Sequence, residues 1–158
     1  MALTSSFGFT NTTDSQVDLT PTAVGMSNYA VVVDDPGRCV LKNTTGPIDQ
    51  VETLAFMAED LGSVIQEEKN ANPPAVSGGR RITIKMEAKK RVTSSSNDTF
   101  AVDYPVSCNV TFRFSKTQYV TAADLLTMLK RVVGALQDSS TDGYILDQLM
   151  MQQLNPKA

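Results

Sequence analysis

From Arg81 to Ala88 apolar and polar residues alternate without a break: Ile82, Ile84, Met86 and Ala88 point one way, and Arg81, Thr83, Lys85 and Glu87 the other. A period of two is the mark of a half-buried antiparallel strand. Beyond the turn-forming run Ser94-Ser95-Ser96-Asn97-Asp98, the even positions Phe100, Val102, Tyr104, Val106, Cys108, Val110, Phe112 and Phe114 make a second apolar face, with Asp103, Ser107, Asn109, Thr111 and Arg113 between them. The pattern predicts a long β-hairpin, apolar on one face and polar on the other. Pro105 has no N–H to give to a ladder, so the second strand is expected to bulge there or to lie at a sheet edge.

Upstream, Tyr29–Val33 and Cys39–Leu41 flank Asp34-Asp35-Pro36-Gly37-Arg38. Proline fixes φ at one corner of a turn and glycine accepts a positive φ at the next, which predicts a tight hairpin. Residues 1–28, rich in Ser, Thr and Asn, read as an arm or loose hairpin. Between Gly46 and Gly79 the signal is mixed: Val51–Phe56 suits a strand or the start of a short helix, and Asn70–Gly79 has the composition of a long turn or linker. Helices follow the strands. Thr121-Ala122-Ala123-Asp124 resembles a capping box, after which Leu125, Leu129, Val132 and Leu136 recur at helical spacing, with Leu126 and Val133 widening the stripe. Asp138–Gly143 should stop that helix. A second helix is expected with Ile145, Leu146, Leu149, Met150 and Leu154 on its apolar side, ended by Asn155-Pro156. The fold class is therefore α+β, with strands at 29–115 and two helices at 121–154 in one domain spanning 1–158.

Composition narrows the chemistry. The 158 residues include no histidine, so no Ser-His-Asp triad, Cys-His pair or imidazole metal ligand can be built. Cys39 and Cys108 cannot close a tetrahedral zinc site by themselves, and Cys108 is expected to be a buried small hydrophobe. The carboxylate pairs Asp34/Asp35 and Glu67/Glu68 fall in a turn and a polar run, and Gly78-Gly79-Arg80-Arg81 lacks the spacing of a phosphate loop. No enzyme, metal, cofactor or small-molecule substrate is expected. With no apolar run near the roughly 18 residues of a spanning helix and no leader pattern, a soluble protein with reduced thiols and no membrane partner is expected. The Asn-x-Thr triplets at Asn11, Asn43, Asn97 and Asn109 are read as chance in a Ser/Thr/Asn-rich chain.

Charge is unevenly placed. Residues 1–79 carry 3 basic and 10 acidic side chains, whereas residues 80–92 carry 6 basic and 1 acidic. This puts Arg80, Arg81, Lys85, Lys89, Lys90 and Arg91 where phosphates could be met, with Thr83, Asn109 and Thr111 available to bases or sugars. Ordinary solvated lysines guarding an exposed strand are the plainer reading of the same residues. One hairpin and two short helices also leave apolar surface that a second copy, joined edge to edge and lending its helices, would bury.

The strand Thr83-Ile84-Lys85-Met86-Glu87, the strand Asn109-Val110-Thr111-Phe112-Arg113-Phe114, the C-terminal helices and the terminal Gln153-Leu154-Asn155-Pro156 resemble the coat proteins of single-stranded RNA bacteriophages, the leviviruses. The segment Val40-Leu41-Lys42-Asn43-Thr44-Thr45-Gly46-Pro47 is similar to some divergent coats. The resemblance implies an N-terminal hairpin, an antiparallel sheet of about five strands, and two helices clasping a partner subunit. It also implies a homodimer that assembles in the bacterial cytoplasm into an icosahedral virion, commonly T=3, with RNA against the inner sheet face. Repression of replicase translation through an RNA hairpin is a further implication. Residues matching the family's RNA-facing positions are Thr83, Lys85 and Glu87 on one strand and Ser107, Asn109, Thr111 and Arg113 on the other, with Lys89 beside them in the basic run. Ser94, Ser95, Ser96, Asn97 and Asp98 match the loop at the capsid's fivefold and quasi-sixfold axes. Ser107 stands where well-studied relatives place a base-stacking tyrosine, the loop has no cysteine for disulfide-linked capsomers, and Gly46–Gly79 is longer than the family's short inter-strand turns, as an exterior decoration or an extra contact would be. The rival reading is a small cellular RNA-binding β-sheet module without assembly. Such modules display sheet aromatics for stacking, whereas Phe100, Tyr104, Phe112 and Phe114 share the apolar face here.

Overall fold

Gly37 adopts a φ of +81°, which a side chain would resist, and this reverses the chain between the first two strands. In the computed structural model, which describes residues 23–61 and 78–138 together with 7, 21, 143–144 and 149–150, five antiparallel strands form one sheet. They are β1 (Tyr29–Asp35), β2 (Arg38–Asn43), β3 (Thr53–Leu61), β4 (Gly79–Ser94) and β5 (Asn97–Ser115), in spatial order β1-β2-β3-β4-β5. Every neighbour in the sheet is a neighbour in sequence. The expected Pro36-Gly37 hairpin is present, and the Ala58 N–H donates to the Gly37 carbonyl at 2.8 Å, tying the turn to β3. The five-stranded antiparallel sheet and α+β class agree with the sequence reading.

The strands are longer than the alternation suggested, and one lies where the pattern was mixed. Val51–Phe56 leads into β3, so this part of Gly46–Gly79 is the sheet's central strand rather than an exterior decoration. Its neighbours on both sides supply the backbone partners that its weak local pattern did not advertise. The turn between β4 and β5 contracts to Ser95-Ser96: Ser94 pairs with Asn97 and Thr93 with Ala101, leaving Asp98–Phe100 as extra residues near the tip. Pro105 pairs with Lys89 without a break in register, because β5 is an edge strand and the missing N–H need not face a neighbour. At the other edge, a register shift between Val31 and Val33 bulges β1.

Two of the Asn-x-Thr triplets have a local explanation. Asn43 Oδ1 accepts from the Thr45 N–H (2.9 Å) and Thr45 Oγ1 (2.6 Å), and Asn97 Oδ1 accepts from the Thr99 N–H (3.1 Å) and Thr99 Oγ1 (2.7 Å). Both are Asx-type turns at strand ends, made by the side chain best suited to bond a backbone N–H two residues on.

Register sorts the side chains onto two faces. One row runs Val31, Leu41, Leu54, Met86, Cys108 from edge to edge, and the adjacent row holds Cys39, Phe56, Ile84 and Val110. Leu54, on the central strand, is 3% exposed and is the one buried hydrophobic side chain among the described residues, whereas Val31 at the β1 edge is 61% exposed. Cys108 is also exposed, contrary to the expectation of a buried thiol, because β5 has a strand on one side only. Both cysteines are free thiols.

This sheet belongs to a compact unit, Ala23–Thr117, and a second unit takes Met1–Thr22 and Gln118–Ala158. The second unit contains α1 (Ala122–Gly134), whose Thr121 N–H donates to Asp124 Oδ2 at 2.8 Å in a capping box. The covered side of the helical segment is Leu125, Leu129, Val133 and Leu136, while Leu126 and Val132 are exposed. The helix closes earlier than expected: the Ala135 N–H reaches the Arg131 carbonyl just after Gly134, a poor helix former, and Leu136 lies in the following turn. Asp138 and Gly143, expected to bound the helix stop, instead pair with each other where β6 (Gln137–Asp138) meets β7 (Gly143–Tyr144). The expected arm at 1–28 is described only at 7, 21 and 23–28, where Met26–Asn28 form a short 3-10 turn. The expected second helix lies outside the described residues except for Leu149 and Met150, which are helical. No described helix is long and apolar enough to cross a membrane.

Candidate nucleic-acid interface

The face opposite Leu54 carries polar residues from all five strands. Its rows, read across the sheet, are Asp35, Arg38, Met57, Thr83, Thr111; then Val33, Val40, Ala55, Lys85, Asn109; then Lys42, Thr53, Glu87, Ser107. A further row holds Glu59, Arg81 and Arg113, and Lys89 lies opposite Pro105. The eight residues Thr83, Lys85, Glu87, Lys89, Ser107, Asn109, Thr111 and Arg113 thus share one face, as strict alternation in both strands requires. Thr83 and Thr111 approach with hydroxyl oxygens 3.3 Å apart.

The same alternation separates residues that a charge count groups together. Arg80 and Lys90 pair with Phe114 and Tyr104, on the apolar-row side of the sheet. Four of the six cations in residues 80–92 are held by carboxylates of their own chain: Arg80 by Asp60, Arg81 by Glu59, Lys85 by Glu87 at 2.5 Å, and Arg91 by Asp103 and Asp49. The last site engages two carboxylates at once. Arg91 donates twice to Asp103, from Nε at 2.7 Å and Nη2 at 2.8 Å, and its Nη1 lies 2.6 Å from Asp49. These hydrogen bonds, the Asp103 one foremost, raise the guanidinium's pKa, and the Arg91 bond lowers that of the Asp103 carboxyl. Asp60 is likewise lowered, first by its bond to Lys116 and then by Arg80.

Cations on this face without an ion pair to another described residue are therefore Arg38, Lys42, Lys89 and Arg113. Sequence reading missed Arg38 and Lys42. Alternation about Cys39 and Leu41 puts both on the opposite face of β2 from those side chains, but only the β2–β3 register joins that face to Lys85 and Asn109. The face is also less uniformly polar than expected, because Val33, Val40, Ala55 and Met57 give it an apolar floor on β1 to β3.

Two depressions relieve its surface. One, of about 380 Å³, lies where the Pro36-Gly37 turn ends, between Arg38 and Met57 on one side and Arg81, Thr83 and Thr111 on the other. The other, of about 550 Å³, lies beside the β2–β3 connection, between Ile48 and Asp49 and the residues Glu87, Lys89 and Ser107. That connection is tied down at its β3 end. Tyr29 Oη donates to Glu52 Oε1, which raises the phenol's pKa, and Gln50 Nε2 reaches the Lys89 carbonyl at 3.5 Å. Ser94 to Asp98, the expected axis contacts, cap the far end of the β4–β5 hairpin, where Ser94 Oγ and Ser96 Oγ are 2.9 Å apart. Among the described residues no group of three or more acidic or thiol side chains is placed to hold a metal ion.

No family model matches the chain, and no curated protein matches it by sequence. Solved structures do match. A virus-like particle of bacteriophage GQ-112 is similar at a TM-score of 0.77 and 19% identity, covering 97% of this chain and 98% of that one. A virus-like particle of bacteriophage AVE015 is similar at a TM-score of 0.72 and 19% identity, covering 94% and 98%. A virus-like particle of Wenzhou levi-like virus 4 is similar at 0.55 and 14% identity, covering 87% and 82%. The chain has the fold of the RNA phage coat proteins, as the sequence resemblance implied.

Proposed function

We propose that the chain is the coat protein of a single-stranded RNA phage, and that residues 1–158 act as one coat domain. The observation that carries this reading is the match of fold over nearly the whole length of chains that form virus-like particles. A monomer with its one described buried hydrophobic at Leu54, and with Tyr104 and Val106 exposed along an open β5 edge, supports pairing with a second copy. Exposed strand edges are templates for such pairing. In this reading two copies join at β5, the dimers close into an icosahedral T=3 shell, and the Ser94–Asp98 tips meet around its axes.

The polar face then lines the interior of the virion. Arg38, Lys42, Lys89 and Arg113 meet phosphates, and Thr83, Ser107, Asn109 and Thr111 offer hydrogen bonds to bases and sugars. Lys85 and Glu87 stand among them, and the apolar floor at Val40 and Ala55 gives bases a surface to lie on. Binding of a genomic hairpin to this face would repress translation. The protein has no catalytic role in this account, and assembly takes place in the bacterial cytoplasm.

Size-exclusion chromatography of the protein expressed in bacteria, followed by nuclease treatment, tests this. The expected product is a megadalton species that retains nuclease-resistant RNA. A stable, RNA-free monomer would overturn the proposal.

A further inference from the structure

Asp35, Glu59, Glu87 and Asp103 all share the proposed RNA face; Asp103 grips Arg91 through two hydrogen bonds, whereas Glu59 and Glu87 each hold one cation through a more exposed pair. Glu59 on β3 holds Arg81, the residue directly opposite it on β4, and Arg81 in turn stands opposite Arg113 on β5. Without Glu59, two guanidinium groups would face each other across neighbouring strands, an unfavourable pair. Glu87 holds Lys85 from two positions along the same strand, on the same face. Both pairs are open to solvent, with side chains 36–50% exposed. A solvated pair of this kind is weak, and an incoming phosphate can displace its carboxylate.

We infer that Glu59 and Glu87 are specificity-determining residues of this face, competing with phosphate for Arg81 and Lys85. The inference rests on the reading of the face as an RNA surface and adds a division of labour within it. Arg38, Lys42, Lys89 and Arg113 attract any polyanion. Arg81 and Lys85 become available only when base contacts at Thr83, Asn109 and Thr111 hold the strand long enough to displace the carboxylates. Discrimination is a difference between affinities, and masking two cations lowers the affinity for the wrong chain.

The test is the salt dependence of binding of a fluorescein-labelled 20-nucleotide poly(U) to the purified, RNA-free protein. For single strands each phosphate contact adds about 0.7 to the slope of log affinity against log salt. Glu59→Gln and Glu87→Gln should each steepen the slope by about 0.7, the double variant by about 1.4, and the double variant should bind about tenfold or more tightly near 0.1 M salt. The single variants each keep one ion pair intact, so each reports separately on its own cation. Lys42→Ala/Arg113→Ala is the second arm. If it weakens binding while the Glu variants match the parent, the masking inference is overturned and the RNA face stands. If it leaves binding unchanged, the face itself is overturned, and the inference with it.

Discussion

Thr83 and Thr111 face each other across β4 and β5 with their hydroxyl oxygens 3.3 Å apart, and that pairing fixes which side chains share the polar face. A slip of one residue would exchange Lys85 for Ile84 or Met86 opposite Asn109 and turn the apolar set of one strand toward the polar set of the other.

Lys85, although central on the face, is already bonded to Glu87, whereas Lys42 and Arg113 have no such partner among the described residues. Lys42→Ala/Arg113→Ala is therefore expected to lower the RNA content of purified particles more than Lys85→Ala does, with dimers retained in both. The ratio of absorbance at 260 and 280 nm of intact particles, measured at matched salt, checks the order.

Leu54 marks the sheet's centre. Replacing it by alanine removes a buried side chain and leaves a cavity, at a cost of about 2–5 kcal/mol in unfolding free energy. Ile48, 89% exposed on the β2–β3 connection, should change the same measurement by less than about 0.5 kcal/mol when cut to alanine. Urea denaturation of the two variants beside the parent decides this.

Gly37→Ala should be worse than its size suggests. The added Cβ would come within 2.8 Å of the Ala58 carbonyl oxygen, at a φ of +81° that alanine resists. The change should cost more than about 1 kcal/mol, since incompatible backbone positions lose more than the gain from a stiffer unfolded chain. At Gly46 the corresponding nearest atom is 3.6 Å away and the substitution should be tolerated. Thermal unfolding of both variants compares them.

Acid should loosen the ion pairs that brace the sheet. Asp60 and Asp103 titrate below their ordinary value of 3.8 because Lys116 and Arg80, and Arg91, hold their charged forms. A carboxyl whose folded pKa is depressed contributes stability that is present above the unfolded value and is lost as pH falls through the folded one. Stability from these pairs is thus whole above about pH 4 and declines below it. Carboxyl carbon shifts followed by NMR from pH 6 to 2 should show both midpoints below 3.8; midpoints at or above it would contradict the pairing.

How far the sequence disclosed this depends on whether a feature is local. The faces of β4 and β5 were legible because alternation runs unbroken from Ile82 to Ala88 and from Phe100 to Phe114, and the Pro36-Gly37 turn because its chemistry is confined to two residues. Strand β3 was not, since Val51–Phe56 lacks a clean period and owes its state to neighbours on both sides. Arg38 and Lys42 needed the inter-strand register before they could be joined to Lys85 and Asn109. The pairing of Arg81 with Glu59 was hidden for the same reason: the two lie 22 positions apart in the chain and meet only across the ladder. Cys108 misled because the pattern reports a face, while exposure depends on whether another strand follows.

Electron cryomicroscopy of the protein expressed in bacteria should show a closed icosahedral shell in which the β5 strands of two chains run side by side and Lys42 and Arg113 face an RNA layer inside. Monomers, or a shell with Leu54 and Met86 turned toward the RNA and Lys42 and Arg113 away from it, would contradict this arrangement.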